Sequence, residues 1–234
     1  GDNPAGGYQA NTTAGFSIVD YVGTGAAGTM AHGLGVAPKF IIVKSRDDAY
    51  SWYVMHNGGA SMDATDKLNL EDETAKVDNP QYWNDTAPTS TVFTLGDGNG
   101  TNKNDSNFLA YVFAPIQGYS KFGSYTGNGN ADGPFVYTGF KPAFILHKQS
   151  SSTQEWQIRD NKRDTYNEDS DTILHADLTN ADTTSTTNVL DFLSNGFKAI
   201  GTGAGTNQDG ENYIYAAFAE QPFVTSGGVP CTAR

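Results

Sequence analysis

One cysteine stands in 234 residues, Cys231, so the chain cannot close an internal disulfide or build a cysteine-based metal site. Positive charge is scarce as well: 14 Lys and Arg against 26 Asp and Glu leave a formal net charge of −12. That balance argues against nucleic-acid partners, which require Lys and Arg to replace phosphate counterions. It argues equally against adhesion to anionic membranes. Leu, Glu, Lys and Arg are all thin, and no long stretch repeats an apolar residue at helical spacing. No stretch reads as a signal peptide or a membrane span. Hydrophobic residues make up 37%, below the usual range of roughly 45–50%.

Gly, Asn, Asp, Ser and Thr fill the gap, and aromatics reach 12%. The apolar residues gather in short runs, which marks a turn-rich β composition rather than a disordered one. The runs also repeat. Tyr21-Val22-Gly23-Thr24-Gly25 returns 104 residues later as Tyr125-Thr126-Gly127-Asn128-Gly129. The same offset carries Gly35 to Gly139, Pro38 to Pro142, Phe40 to Phe144, Lys44 to Lys148, Trp52 to Trp156 and Phe93 to Phe197. One residue of slippage later, Leu109 to Ala114 matches Ile214 to Ala219. The duplicated set is glycine, proline, aromatic and β-branched residues, which specify a scaffold rather than a reaction.

Two units of about 104 residues fall in the common domain range, each long enough to bury its own core. Strands read at Ser17 to Val22, Thr29 to Leu34, Lys39 to Lys44, Ser51 to His56, Asp66 to Leu70, Thr91 to Leu95 and Phe108 to Phe113. The second unit follows with Lys121 to Thr126, Pro134 to Thr138, Ala143 to Lys148, Glu155 to Arg159, Thr172 to His175, Gly196 to Ile200 and Tyr213 to Phe218. Val189 to Leu193 reads as a short helix or turn. The fold class expected is all-β: two tandem antiparallel β-sandwich, jelly-roll-like modules related by internal duplication. The boundaries expected are an N-terminal extension over 1–14, repeat 1 over 15–117, repeat 2 over 118–224 and a tail over 225–234. A single larger sandwich with internal pseudo-symmetry is the alternative. The loose Gly/Asn-rich start reads as part of something longer.

Chemistry-bearing patterns are sparse. His32, His56, His147 and His175 lack metal-ligand spacing and read as surface or half-buried histidines. No G-x-S-x-G occurs. Glu71, Asp72, Glu73, Asp169 and Asp171 lie in polar loops without apolar neighbours to tune them. Gly23-Thr24-Gly25 and Gly201-Thr202-Gly203 precede no helix and read as hairpin turns, not phosphate cradles. Asp97 to Asp105 alternates oxygen ligands as calcium loops do, but Lys103 sits inside it and no closing Glu follows. The expectation is therefore no catalytic residue, no metal and no cofactor. Trp52 and Trp156, matched between the halves, read as core. Trp83, unmatched and on the polar stretch 71–90, reads with Tyr82 and Asn84 as the candidate ligand-binding group, since an exposed tryptophan can stack on a sugar or anchor a protein contact.

Gly15-Phe16-Ser17-Ile18-Val19-Asp20-Tyr21, His32-Gly33-Leu34-Gly35-Val36-Ala37-Pro38, Asn84-Asp85-Thr86, Tyr119 to Gly127 and Phe192 to Phe197 resemble a repeat of tailed-bacteriophage structural proteins, marine ones especially. The ending Ala217-Phe218-Ala219-Glu220, followed by Pro222-Phe223, is similar to the C-terminus of such tail-fibre-like chains. The resemblance covers about residues 14–234 and carries over no catalytic residue. It implies a virion component at the C-terminal end of a longer polypeptide. Its expected partners are further copies of itself, often as trimers, other virion proteins and a host cell-surface receptor, glycan or protein. No nucleic acid and no membrane insertion are expected. The loops 71–90, 96–107 and 201–212 are the expected contact regions. A capsid decoration, a head fibre or a tube or filament subunit is the alternative role.

Overall fold

A computed structural model describes residues 3–164, 166–169 and 171–220. The chain divides into two compact units: residues 1–71 with 76–115, and residues 72–75 with 116–234. The short segment 72–75 belongs with the second unit. Cys231 and the expected 225–234 tail lie outside the described residues.

Unit 1 contains β1 (Ala5–Asn11), β2 (Phe16–Val22), β3 (Gly28–Ala31), β4 (Phe40–Ser45), β5 (Tyr53–His56), β6 (Asp66–Asn69), β7 (Val77–Asp78), β8 (Val92–Leu95) and β9 (Asn107–Phe113). Two single-turn helices, α1 (Pro80–Trp83) and α2 (Asn99–Asn102), interrupt them. Seven strands form one antiparallel sheet in the order β1-β2-β9-β4-β5-β6-β7, and β3 pairs with β8 as a second, smaller layer. Alternation along β2 buries Ser17, Val19 and Tyr21 and exposes Ile18, Asp20 and Val22, the period of a half-buried strand. Val19, Tyr21, Ile41, Val43, Phe108, Ala110 and Val112 of the large sheet meet Met30, Phe93 and Leu95 of the small one in a single core. Burying one such side chain as completely as Phe93 contributes about 1.5–3 kcal/mol.

Unit 2 contains β10 (Ser120–Thr126), β11 (Phe135–Tyr137), β12 (Pro142–Gln149), β13 (Gln157–Asp160), β14 (Asp171–His175), β15 (Thr183–Ser185), β16 (Leu190–Leu193), β17 (Gly196–Ala199) and β18 (Asn212–Ala219). Its large sheet runs β10-β18-β12-β13-β14-β15 and its small sheet β11-β17-β16. The large sheet has the strand order of unit 1 from β2 onward, and the small sheet has one strand more than that of unit 1. The segment read as a helix or turn at Val189 to Leu193 is instead strand β16, hairpinned to β17 through Phe192 and Phe197.

The N-terminal stretch is not a loose extension. Ala5–Asn11 pairs along its whole length with Phe16–Val22. Glycine permits this: a Cβ on Gly6 would lie 2.0 Å from the Asp20 carbonyl oxygen. The polar stretch 71–90 likewise holds β7 and α1, and α2 sits within 96–107. Single-turn helices are too short to leave a helical period in the sequence.

The repeat extends to individual hydrogen bonds. Tyr21 donates its hydroxyl to the Thr101 carbonyl at 2.6 Å, and Tyr125 donates to Thr206 at 2.9 Å. Asn102 accepts from Thr24 N at 2.9 Å, and Asn207 from Asn128 N at 2.8 Å. The ammonium of Lys44 donates to the Tyr50 carbonyl, and that of Lys148 to the Gln154 carbonyl. Gly25 and Gly129 hold φ at 68° and 66°, the left-handed region that glycine enters without a side-chain clash. Positions paired by the sequence echo thus make corresponding hydrogen bonds in the two units.

Candidate functional site

The candidate group read from the sequence sits on α1. Asn79 caps that helix by accepting from Gln81 N at 3.0 Å, and Pro80 occupies its first turn, where a missing N–H matters least. Asn84 ends it in the left-handed region at φ 51° and donates its N–H to the Pro80 carbonyl at 2.7 Å. This geometry turns Trp83 inward. It is 0% exposed within the unit 1 core, and its indole nitrogen has no hydrogen-bond partner. The expectation of an exposed stacking platform is therefore corrected: Trp83 is a core residue. Tyr82 is partly buried, its ring 4.5 Å from Tyr53, with the Lys67 ammonium within 5.6 Å of both ring centres. Burial, then the hydrogen bond with Tyr82, pushes the Tyr53 phenol up to about 12. Of the three expected residues only Asn84 stands open to solvent.

The matched tryptophans also part company. Trp156 is 1% exposed, whereas Trp52 is 37% exposed and stacks on Tyr111 at 6.4 Å. Trp52 is a sheet-surface residue, contrary to the core reading. The loop 97–105 folds around α2, with Asn102 turned into the interior and Lys103 drawn to Asp48 at 2.6 Å. Among the described residues no group of three or more His, Cys, Asp or Glu is placed to hold a metal ion.

The histidines require the largest correction. His32, His56 and His147 are all buried, at 0%, 1% and 0% exposure. His147, on β12, belongs to a cluster of ionisable residues drawn from three neighbouring strands. Arg159 on β13 donates Nε to Asp171 Oδ2 on β14 at 2.6 Å, Nη1 to His147 Nε2, and Nη2 to the Asn188 carbonyl. The same Asp171 oxygen accepts from Leu190 N at 2.7 Å. Burial, reinforced by the adjacent guanidinium, holds the His147 imidazole well below its ordinary value. It is therefore neutral, with Nε2 as acceptor and the proton on Nδ1. Burial pushes Asp171 up while Arg159 pulls it down, so the pair is closed on itself. None of this occurs in unit 1, where the corresponding positions are Val43, Met55 and, by strand register, Thr65.

Beside this cluster a surface depression is lined by Arg159, Asp160, Asp164, Tyr166, Asn167, Asp171, Leu190 and Phe192. Most of its polar groups already serve the fold. Asp160 accepts from the backbone of Lys162 and Arg163, both at 3.0 Å. Asp164 accepts from Thr172 N at 2.8 Å. Asn167 exchanges two bonds with the backbone of Phe192, at 3.1 and 3.0 Å. Tyr166, 75% exposed, is the free aromatic at its rim. A general base must reach the proton it abstracts, and His147 is sealed from solvent. The cluster was missed in the sequence because its members are twelve residues apart, a spacing set only by strand pairing.

No curated protein and no solved structure matches the chain. Residues 5–222 match a family described as a domain of unknown function, DUF7483, and the chain belongs to that family.

Proposed function

We propose that the chain is a non-enzymatic virion structural module, the distal part of a bacteriophage tail fibre or related appendage, that attaches to the host surface as a homo-oligomer. The observation that carries this reading is the division between repeated and unrepeated parts. The buried bonds that define the scaffold recur in both units, and the unrepeated ionisable cluster of unit 2 is tied to itself rather than opened to a substrate. Such a molecule works through shape and surface. The net charge of −12 keeps copies soluble at high display density, and weak contacts made by several copies add up through multivalency. Resemblance to phage structural repeats in the residues quoted above supports the location.

Asn84 and Tyr166 are among the exposed polar and aromatic groups through which a glycan or protein receptor would be met. The test is immunogold labelling of phage particles with an antibody raised against the chain, together with binding of the fluorescent chain to susceptible cells. Label at fibre tips and saturable cell binding are expected. Label confined to the capsid would replace attachment by decoration, and absence from virions would end the reading.

A further inference from the structure

The two large sheets present four edges, and three of them are protected. Strands β7 and β15 are two and three residues long, and β10 carries the charged Lys121. Strand β1 differs. It runs seven residues, all exposed, in uninterrupted register with β2. Its sequence, Ala5-Gly6-Gly7-Tyr8-Gln9-Ala10-Asn11, has no charge, no proline and no bulge. Charge, proline and bulges are devices by which sheet edges avoid pairing with other chains, and among the described residues this strand carries none of them.

We propose that β1 pairs with β1 of a second copy, antiparallel about a two-fold axis, so that the sheet continues from one chain into the other. Two arguments select this occupant. First, copies carrying −12 each repel one another, and β1 is an edge along which close approach opposes no like charges. A register centred on Tyr8 sets Gly7 against Gln9 and Ala5 against Asn11, all neutral. Second, an antiparallel strand is complementary to itself, so the pair closes as a dimer, whereas pairing with a different edge would leave one β1 free and propagate. The contact is small by the standard of stable interfaces, so association depends on concentration. The inference stands apart from the attachment reading, since a dimer can form whatever the chain's location.

Sedimentation velocity of the full chain over a range of concentrations tests it, with Gly7→Lys/Gln9→Lys as the variant. Position 7 accepts a side chain, because a Cβ there would meet only Asp20 Oδ1, at 3.7 Å. The added lysines reduce the net charge and by themselves favour association, so any loss of dimer is local to the edge. A concentration-dependent dimer is expected in the parent chain. In the variant, lysines opposed across the strand pair weaken it by about tenfold or more, while circular dichroism and the urea midpoint stay unchanged. Amide exchange over residues 5–11 slows as the parent dimer fills. A chain that is monomeric at every concentration, a dimer indifferent to the lysines, or a closed trimer would each overturn the proposal.

Discussion

Two asparagines do most to define the scaffold at the level of single residues. Asn102 accepts from Thr24 N at 2.9 Å and donates to the Ala26 and Gly96 carbonyls at 2.7 and 2.8 Å. Asn207 accepts from Asn128 N at 2.8 Å and donates to the Asn130 and Gly201 carbonyls at 2.6 and 2.9 Å. Both side chains are 0% exposed. Only a planar amide offers one acceptor and two donors in this arrangement. Aspartate would set a carboxylate against two carbonyl oxygens, and alanine would take this partner from the Thr24 N–H and from the Ala26 and Gly96 carbonyls. Asn102→Ala should therefore lose about 2–4 kcal/mol, and Asn102→Asp at least as much, read from urea unfolding monitored by tryptophan fluorescence. Asn104→Ala, at an exposed position two residues on, should stay within about 0.5 kcal/mol of the parent. Equal effects at 102 and 104 would show that the clamp contributes nothing.

At the scale of elements, legibility followed periodicity. Strands β2, β4, β9, β12 and β18 alternate or run apolar for six to eight residues, so the sequence places them to within a residue or two. Strand β1 escaped because its glycines and polar residues carry no apolar alternation; its register is set by close backbone approach to β2. Trp83 was misplaced because one helical turn, capped by Asn79, reverses the direction of a side chain without leaving a pattern. The buried ionic cluster escaped because Arg159 finds both partners across strands, in β12 and β14. That cluster yields an element-scale prediction. Asp171→Ala strands the Arg159 guanidinium in the interior and should lose about 3–5 kcal/mol. Replacing the whole set with the unit 1 residues, as His147→Val/Arg159→Met/Asp171→Thr, removes the charges together and should leave stability within about 1–2 kcal/mol of the parent or above it. Differential scanning calorimetry distinguishes the outcomes, and a triple variant no better than Asp171→Ala would show that the ionic cluster itself is needed for unit 2 to fold.

Over the whole molecule, the two units bury different polar groups. Unit 1 buries His32, His56 and Asn102 beside its aliphatic and aromatic core around Trp83, whereas unit 2 buries His147, Gln149, Gln157 and Arg159, with His147 Nδ1 and both polar atoms of Gln149 unpaired. Unpaired buried polar atoms reduce stability, so unit 2 should open more readily than unit 1. Acid should widen the gap. His147 is held well below the ordinary value of 6.5, first by burial and then by Arg159 and His175. The unfolded chain therefore takes up a proton at this site near pH 6.5 that the folded chain refuses. The stabilisation from neutral His147 is complete above that pH and is lost as pH falls below it, by about 1.4 kcal/mol per pH unit while only the unfolded form is protonated. His32 in unit 1 is also lowered by burial, but its bond with the Thr89 carbonyl works against the shift, so its contribution is smaller. Hydrogen exchange, corrected for intrinsic rates, should show protection in β12 and β18 falling further than in β4 and β9 between about pH 7.5 and 5.5. His147→Gln, which cannot take up the proton, should remove most of that difference. If the strands of both units lose protection in parallel, or the variant keeps the full difference, the acid sensitivity of unit 2 does not arise from its buried histidine.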